Sequence, residues 1–258
     1  WQPVKADLDS YECHHGLGYS RFVSSKDGLN ADLTAFVPLH ETCEINYLKL
    51  RNDSDKEKSI SLTSYVEFCF WNAVDDATNF QRNLSIGEVE IDGSTIYHKT
   101  EYRERRNHYA FYTVNTPING FDTSRDEFLG AYGSIEHPKA VVEGTSYNTV
   151  ASGGAVIGSH RIDLTLAPGE EKTYIFLLGY AENDDEHKWE ALDVINKTPA
   201  KATIKKFVTD EQVLAALSSL KEYWNTLLAR YSVSCEDEKL SRMVNIWNQY
   251  QCMVTFNM

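Results

Sequence analysis

Apolar and polar positions alternate with a period of two over much of residues 1–180 and recur every three or four residues after 209, so the chain reads as β structure followed by helices. The clearest alternation puts Ile60, Leu62, Ser64, Val66, Phe68 and Phe70 on one face and Ser61, Thr63, Tyr65, Glu67, Cys69 and Trp71 on the other. Shorter runs rich in β-branched and aromatic residues cover Tyr19 to Ser25, Leu29 to Val37, Cys43 to Leu50, Tyr109 to Asn115, Arg161 to Leu166 and Thr173 to Leu178. Turn clusters such as Lys26-Asp27-Gly28 separate them. Asp92-Gly93 is the strongest hairpin signal, because a type I′ turn needs positive φ at both central positions. Strands recurring about every dozen residues predict an antiparallel β-sandwich. Residues 116–159 carry seven glycines and are expected to be loop-dominated, lying over one edge or face of the sandwich.

After an acidic break at Asn183 to Glu186 the period changes. Val213, Leu217, Leu220, Trp224, Leu227 and Tyr231 mark an amphipathic helix, with Thr209 and Gln212 placed as a capping box. A second helix begins at Asp237, and its apolar face, with Leu240, Val244, Trp247, Gln251 and Val254 flanked by Met243, Ile246 and Tyr250, is wide enough to demand burial. Two readings of that breadth stand: an all-helical domain begins here and continues beyond Met258, or the helix docks back on the sandwich. The expected class is mainly β with C-terminal helices, divided into a sandwich over 1–182 and helices over 183–258.

A chain of 258 residues with 42% apolar content supports a substantial core. A formal charge of -13 argues against a nucleic-acid or anionic-membrane partner. No long apolar run marks a membrane span, and no charged-then-apolar leader is present. Cys13, Cys43, Cys69, Cys235 and Cys252 are scattered, without C-x-x-C spacing, and read as reduced core thiols rather than a disulfide framework or zinc site. That usage favours the cytoplasm, where the sequons at Asn52, Asn83 and Asn196 go unmodified.

Between Trp71 and Asn83 a polar loop gathers Asp75, Asp76, Asn79, Gln81, Arg82 and Asn83 around Trp71 and Phe80. Carboxylate, carboxamide and guanidinium groups beside aromatic faces suit a neutral, many-hydroxyl ligand such as a sugar; an ordinary solvated connection has the same composition. Arg103, Arg105 and Arg106 form a basic run whose arginines fit either neighbouring carboxylates or an anion. His14-His15 before Gly16-Leu17-Gly18-Tyr19 lacks dinucleotide-loop spacing and reads as satisfied polar residues in a β turn. Neither a metal-ligand constellation nor a paired acid and base can be assigned, so no catalytic residue is named.

Several longer segments resemble a known family. They are Tyr11-Glu12-Cys13-His14-His15-Gly16-Leu17-Gly18-Tyr19, Tyr65-Val66-Glu67-Phe68-Cys69-Phe70-Trp71-Asn72-Ala73, Asn79-Phe80-Gln81-Arg82-Asn83, the run from Tyr97 to Arg106, and the closing run from Arg242 to Asn257. Together they are similar to the cellobiose phosphorylases of glycoside hydrolase family 94. The resemblance implies a cytoplasmic, homodimeric enzyme that converts cellobiose and phosphate to α-glucose 1-phosphate and glucose with inversion. Phosphate is a substrate, and no cofactor is implied. It also implies a helical linker leading into an (α/α)₆ barrel that holds the catalytic Asp and lies beyond Met258, and further sandwich strands before Trp1. Residues 1–258 alone are therefore expected to be inactive. Gln81 and Arg82 match the family segment that reaches the acceptor glucose, and are the substrate-binding residues expected here. A cellodextrin or chitobiose phosphorylase, or a non-catalytic carbohydrate-binding or assembly module, remains the alternative.

Overall fold

A computed structural model describes residues 6–69, 87–100 and 107–257. Its strands are β1 Ser10–His15, β2 Tyr19–Lys26, β3 Leu29–Phe36, β4 Cys43–Asn52, β5 Lys58–Thr63, β6 Val66–Glu67 and β7 Gly87–Asp92. There follow β8 Thr95–Thr100, β9 His108–Val114, β10 Gly120–Ser124, β11 Val156–Leu166, β12 Glu171–Glu182, β13 Trp189–Ala191 and β14 Val194–Ile195. An 8-stranded sheet runs β1-β2-β3-β4-β12-β9-β8-β7, and a smaller one runs β10-β11-β5, with β6 also on β11. The pairings between these strands are antiparallel. The mainly β fold with helices at its C-terminal end is the class the alternation predicts.

The large sheet is covered on both faces. Leu48, Leu50, Tyr112, Val114, Tyr174 and Phe176 meet Ile162, Leu164 and Leu166 of the small sheet in one core. The opposite side chains, among them Ile45, Tyr47, Phe111, Ile175 and Leu177, pack under Ala200, Phe207, Val213, Leu220 and Trp224 of the C-terminal helices. A strand covered on two sides has no polar face to alternate with, which is why β9, His-Tyr-Ala-Phe-Tyr-Thr-Val, is buried at every position.

Three expectations need correction. The β7–β8 register pairs Asp92 with Thr95, so its turn is Gly93-Ser94, with Gly93 at φ 60° in the first central position as a type II′ turn takes it. The two-residue turn with positive φ at both positions is instead Asp27-Gly28, between paired Lys26 and Leu29. Residues 116–159 are not only loop. They hold β10, the start of β11, and helices α1 Arg125–Leu129 and α2 Lys139–Val142, whose Phe128, Leu129 and Ala140 bury against Tyr65 and Ile157. Finally, the strand begun at Lys58 pauses at Ser64-Tyr65 and resumes in the same register on β11 as far as Glu67. At the pause Ser64 N–H donates to the His160 carbonyl at 2.9 Å, and the His160 N–H donates to Ser64 Oγ at 3.0 Å.

Helix α3 spans Thr198–Lys205 and α4 spans Asp210–Leu228, short of Tyr231, which is exposed. The expected capping box is formed by Thr209 and Gln212, and Thr173 Oγ1 donates to Asp210 at 2.9 Å, tying the helix start to β12. Helices α5 Glu238–Arg242 and α6 Asn248–Asn257 are joined by a π-helical turn, Met243–Trp247. Tyr250 and Met253 pack back on the sandwich-helix core, whereas Leu240, Met243 and Trp247 are exposed, so the wide apolar face is only partly buried. The cysteines also differ from expectation: Cys43 is buried, with its thiol pushed up to about 12 by burial, but the other four are exposed. Among the described residues no helix is long and apolar enough to cross a membrane.

Candidate functional site

Gln81, Arg82 and the Arg103 to Arg106 run lie outside the described residues. The ends of the chain around them are described. Gly87 is paired with Thr100, so the segments 70–86 and 101–106 join the fold at adjacent positions, one on the edge strand β7 and one on its neighbour β8. Gly87 and Thr100, to which those two stretches attach, thus form one root.

Around this root the groups are firmly held. Tyr65 Oη donates to Glu67 Oε1 at 2.5 Å and Arg125 Nε donates to the same oxygen at 3.0 Å. Burial would raise the Glu67 carboxyl, but those two bonds and the Arg125 charge hold it below its ordinary value. Phe68 packs on the buried ring of His98, 5.2 Å between centroids. A cavity of about 390 Å³ beside them is lined by Glu44, Glu67, Phe68, Cys69, Leu178 and Tyr180.

Beneath the hairpin lies a buried charge network that sequence reading missed. Lys99 Nζ, with its side chain only 5% exposed, meets Glu88 at 2.8 Å, Glu90 at 3.0 Å and the Asp193 carbonyl at 2.6 Å. Lys197, 7% exposed, meets Glu90 at 2.6 Å and Glu190 at 3.1 Å. Glu90 also accepts from Ile195 N–H at 2.9 Å. Burial alone would depress the Lys197 ammonium, yet the bonds to Glu90 and Glu190 carry it above its ordinary value. The network pins β13 and β14 to β7 and β8. Lys99 falls on a strand position in the sequence, but nothing in the pattern announces a partner at Lys197.

At the far side of the large sheet a cleft of about 1430 Å³ opens between the β1–β2 turn and the C-terminal helices. Its floor is Leu220, Trp224 and Tyr250, the last two with centroids 5.7 Å apart. Gly18, at φ 78°, lets the turn press on that floor: a Cβ there would sit 2.8 Å from Trp224 Nε1. One wall carries His15, Ser20, Glu44 and Asn46, the other Lys239, Arg242 and the exposed Trp247. His14 and His15 are not in a turn but close β1, a sheet-edge strand exposed along its length. His14 Nε2 lies 3.0 Å from Glu12 and His15 Nδ1 3.0 Å from Ser20 Oγ, so both are polar side chains with local partners. Among the described residues no group of three or more His, Cys, Asp and Glu side chains could hold a metal ion.

Residues 1–207 match the profile described as glycosyl hydrolase 94, supersandwich domain, and residues 223–258 match that of the glycosyl hydrolase 94 superfamily, catalytic domain. The second match begins inside α4, whose Val213, Leu220 and Trp224 pack against the sandwich. The chain is 32% identical over 263 aligned residues to N,N'-diacetylchitobiose phosphorylase of Vibrio proteolyticus, covering 97% of this chain and 30% of that protein. It is 30% identical to the enzyme of that name from Vibrio furnissii, with 97% and 30% covered, and 28% identical to solabiose phosphorylase of Paenibacillus borealis, with 98% and 31% covered. The chain therefore spans about 30% of the length of the curated relatives it matches.

Proposed function

The chain belongs to glycoside hydrolase family 94, and from that premise we propose that it is the N-terminal part of an inverting disaccharide phosphorylase. The observation that carries the reading is the supersandwich match over residues 1–207, continued by a catalytic-domain match and by relatives named as phosphorylases. The substrate is a β-linked disaccharide, cellobiose or N,N'-diacetylchitobiose. Phosphate, already an anion, attacks the anomeric carbon without a general base, while an acid outside this chain protonates the leaving oxygen. The protein is cytoplasmic and dimeric in this proposal, with no nucleic-acid or membrane partner. Gln81 and Arg82 are assigned to the acceptor sugar, for which a planar guanidinium and a carboxamide are suitable partners of vicinal hydroxyls.

The experiment uses the full-length protein on a panel of β-linked disaccharides. Cleavage that requires phosphate is expected, with none from residues 1–258 alone. Arg82→Ala is expected to raise the acceptor KM in the synthetic direction by roughly ten- to hundredfold while the phosphate KM changes little, as loss of one charged hydrogen bond implies. Phosphate-independent hydrolysis across the panel would overturn the phosphorylase reading. An unchanged acceptor KM would remove Arg82 from the site and leave the reaction class intact.

A further inference from the structure

We propose that Glu90, with the Lys99 and Lys197 ammonium groups it joins, is a positioning residue for acceptor-sugar recognition. It fixes the register of edge strand β7, and so the point at which the segment carrying Gln81 and Arg82 attaches to the fold. The proposal rests on the phosphorylase reading and deepens it.

Covalent structure makes the connection. Arg82 lies five residues before Gly87, and Gly87 opens β7 opposite Thr100. The next pair on the ladder is Glu88 with Lys99, about 3.3 Å further along. Whatever sets the register of β7 on β8 therefore sets where residues 70–86 and 101–106 attach. The ladder itself holds β7 from one side: β7 ends the large sheet, and among the described residues a single bridge, Glu88 with Ser152, lies on its outer edge.

Side chains supply the rest. An ammonium group has three N–H donors. Those of Lys99 have Glu88, Glu90 and the Asp193 carbonyl as acceptors; those of Lys197 have Glu90, Glu190 and the Ile195 carbonyl, the last at 3.2 Å. Neither lysine has a donor to spare. Glu90 accepts from both ammonium groups and from the Ile195 N–H, so its place is fixed from three directions. On the opposite face of β7, Val89 is buried with Ile96, Ala151 and Val156. A slip of one residue would turn Glu90 toward that apolar cluster and present Val89 or Ile91 to two buried ammonium groups, each left short of an anion.

Apolar side chains of similar volume would hold these elements together about as well, but they tolerate sliding that hydrogen bonds between charges do not. The charges therefore contribute register more than stability. Acceptor recognition depends on that register, since a misplacement of about 1 Å arising far from the chemistry can cost roughly a hundredfold in rate.

The test uses the full-length protein, with the sugar 1-phosphate from its own phosphorolysis as donor and glucose or N-acetylglucosamine, whichever it uses, as acceptor. The variants are Glu90→Gln, the triple replacement of Glu90→Leu with Lys99→Met and Lys197→Met, and Leu164→Ala in the core between the sheets. For each, the acceptor KM, the phosphate KM and the urea midpoint are measured. Glu90→Gln and the triple variant are expected to raise the acceptor KM by roughly three- to thirtyfold, the range of mutational coupling within packed networks, with the phosphate KM nearly unchanged. The triple variant should do so at a urea midpoint close to that of the unmodified protein. Leu164→Ala should lower the midpoint and leave the acceptor KM where it was. An acceptor KM restored in the triple variant would overturn the proposal, as would one that rises in Leu164→Ala in step with lost stability, because either makes the network a matter of stability alone. Both results leave phosphate-dependent cleavage, and with it the phosphorylase reading, intact. Absence of phosphate-dependent cleavage by the unmodified protein would overturn that reading and this proposal with it.

Discussion

Replacing Glu90 with alanine is expected to destabilise the fold by about 3 kcal/mol, because it removes the shared partner of two buried ammonium groups. Lys99 would keep Glu88 and the Asp193 carbonyl, and Lys197 would keep Glu190 and the Ile195 carbonyl, but Glu88 and Glu190 are nearly half exposed and hold their partners from the rim. Glu88→Ala or Glu190→Ala should each therefore cost only about 1 kcal/mol or less. A triple replacement, Glu90→Leu with Lys99→Met and Lys197→Met, should recover most of the loss, since a buried ion pair gains little over apolar groups of similar volume. Urea unfolding at neutral pH measures all of these. Equal losses for Glu88→Ala and Glu90→Ala would show that burial does not set the value of this network. The consequence is local as well as global, because Lys99 and Glu88 flank the pair at which residues 70–86 and 101–106 join the fold.

Acid should unfold the protein through two histidines. His98 and His160 are buried, and burial lowers both to about 4. His98 packs on Phe68, and His160 lies between Ser64 and the ring of Tyr112 at 4.7 Å, in surroundings that solvate a neutral imidazole better than a charged one. The unfolded chain takes up these protons below its ordinary histidine value near 6.5, whereas the folded chain does not until about pH 4. Stability is thus present in full above about 6.5, falls as pH drops between 6.5 and 4, and levels below. Each histidine is expected to contribute about 3 kcal/mol to that fall. His98→Gln should flatten the profile by about one histidine's share when unfolding free energies are compared at pH 7, 5.5 and 4.5. Parallel profiles for the variant and the unmodified chain would show that His98 titrates alike in both states.

The strands were legible because the rule that finds them is local. Ile60, Leu62, Val66 and Phe68 do face the inter-sheet core, as their alternation implies. β10 escapes the alternation rule because Gly-Phe-Asp-Thr-Ser offers one large apolar residue and a carboxylate; its buried Asp122 is satisfied from a distant loop by the Tyr147 and Thr149 backbone N–H groups, each at 3.2 Å, and by the Thr149 hydroxyl at 3.0 Å. The hairpin marked by Asp92-Gly93 forms as expected, with β7 and β8 antiparallel neighbours, but its turn falls one residue later, since register across Asp92 and Thr95 is decided by pairing along the whole strand. Thiol burial departs from expectation for a similar reason: composition ranks cysteine as a core residue, while Cys13 sits on an edge strand that nothing covers in the described residues. Gln81 and Arg82, proposed for the acceptor sugar, rest on resemblance alone. The cleft was not foreseen at all. Its walls come from β1, β2, β4 and the last helices, and only folding brings Asn46 and Trp247 to one space.

The most direct test of the functional reading is the configuration at C1 of the sugar phosphate formed by the full-length protein from a β-linked disaccharide and phosphate. An inverting attack predicts the α-configured 1-phosphate, seen by proton NMR before mutarotation of the released sugar confuses the spectrum. A β-configured phosphate, or free sugars with no phosphate ester, would contradict it.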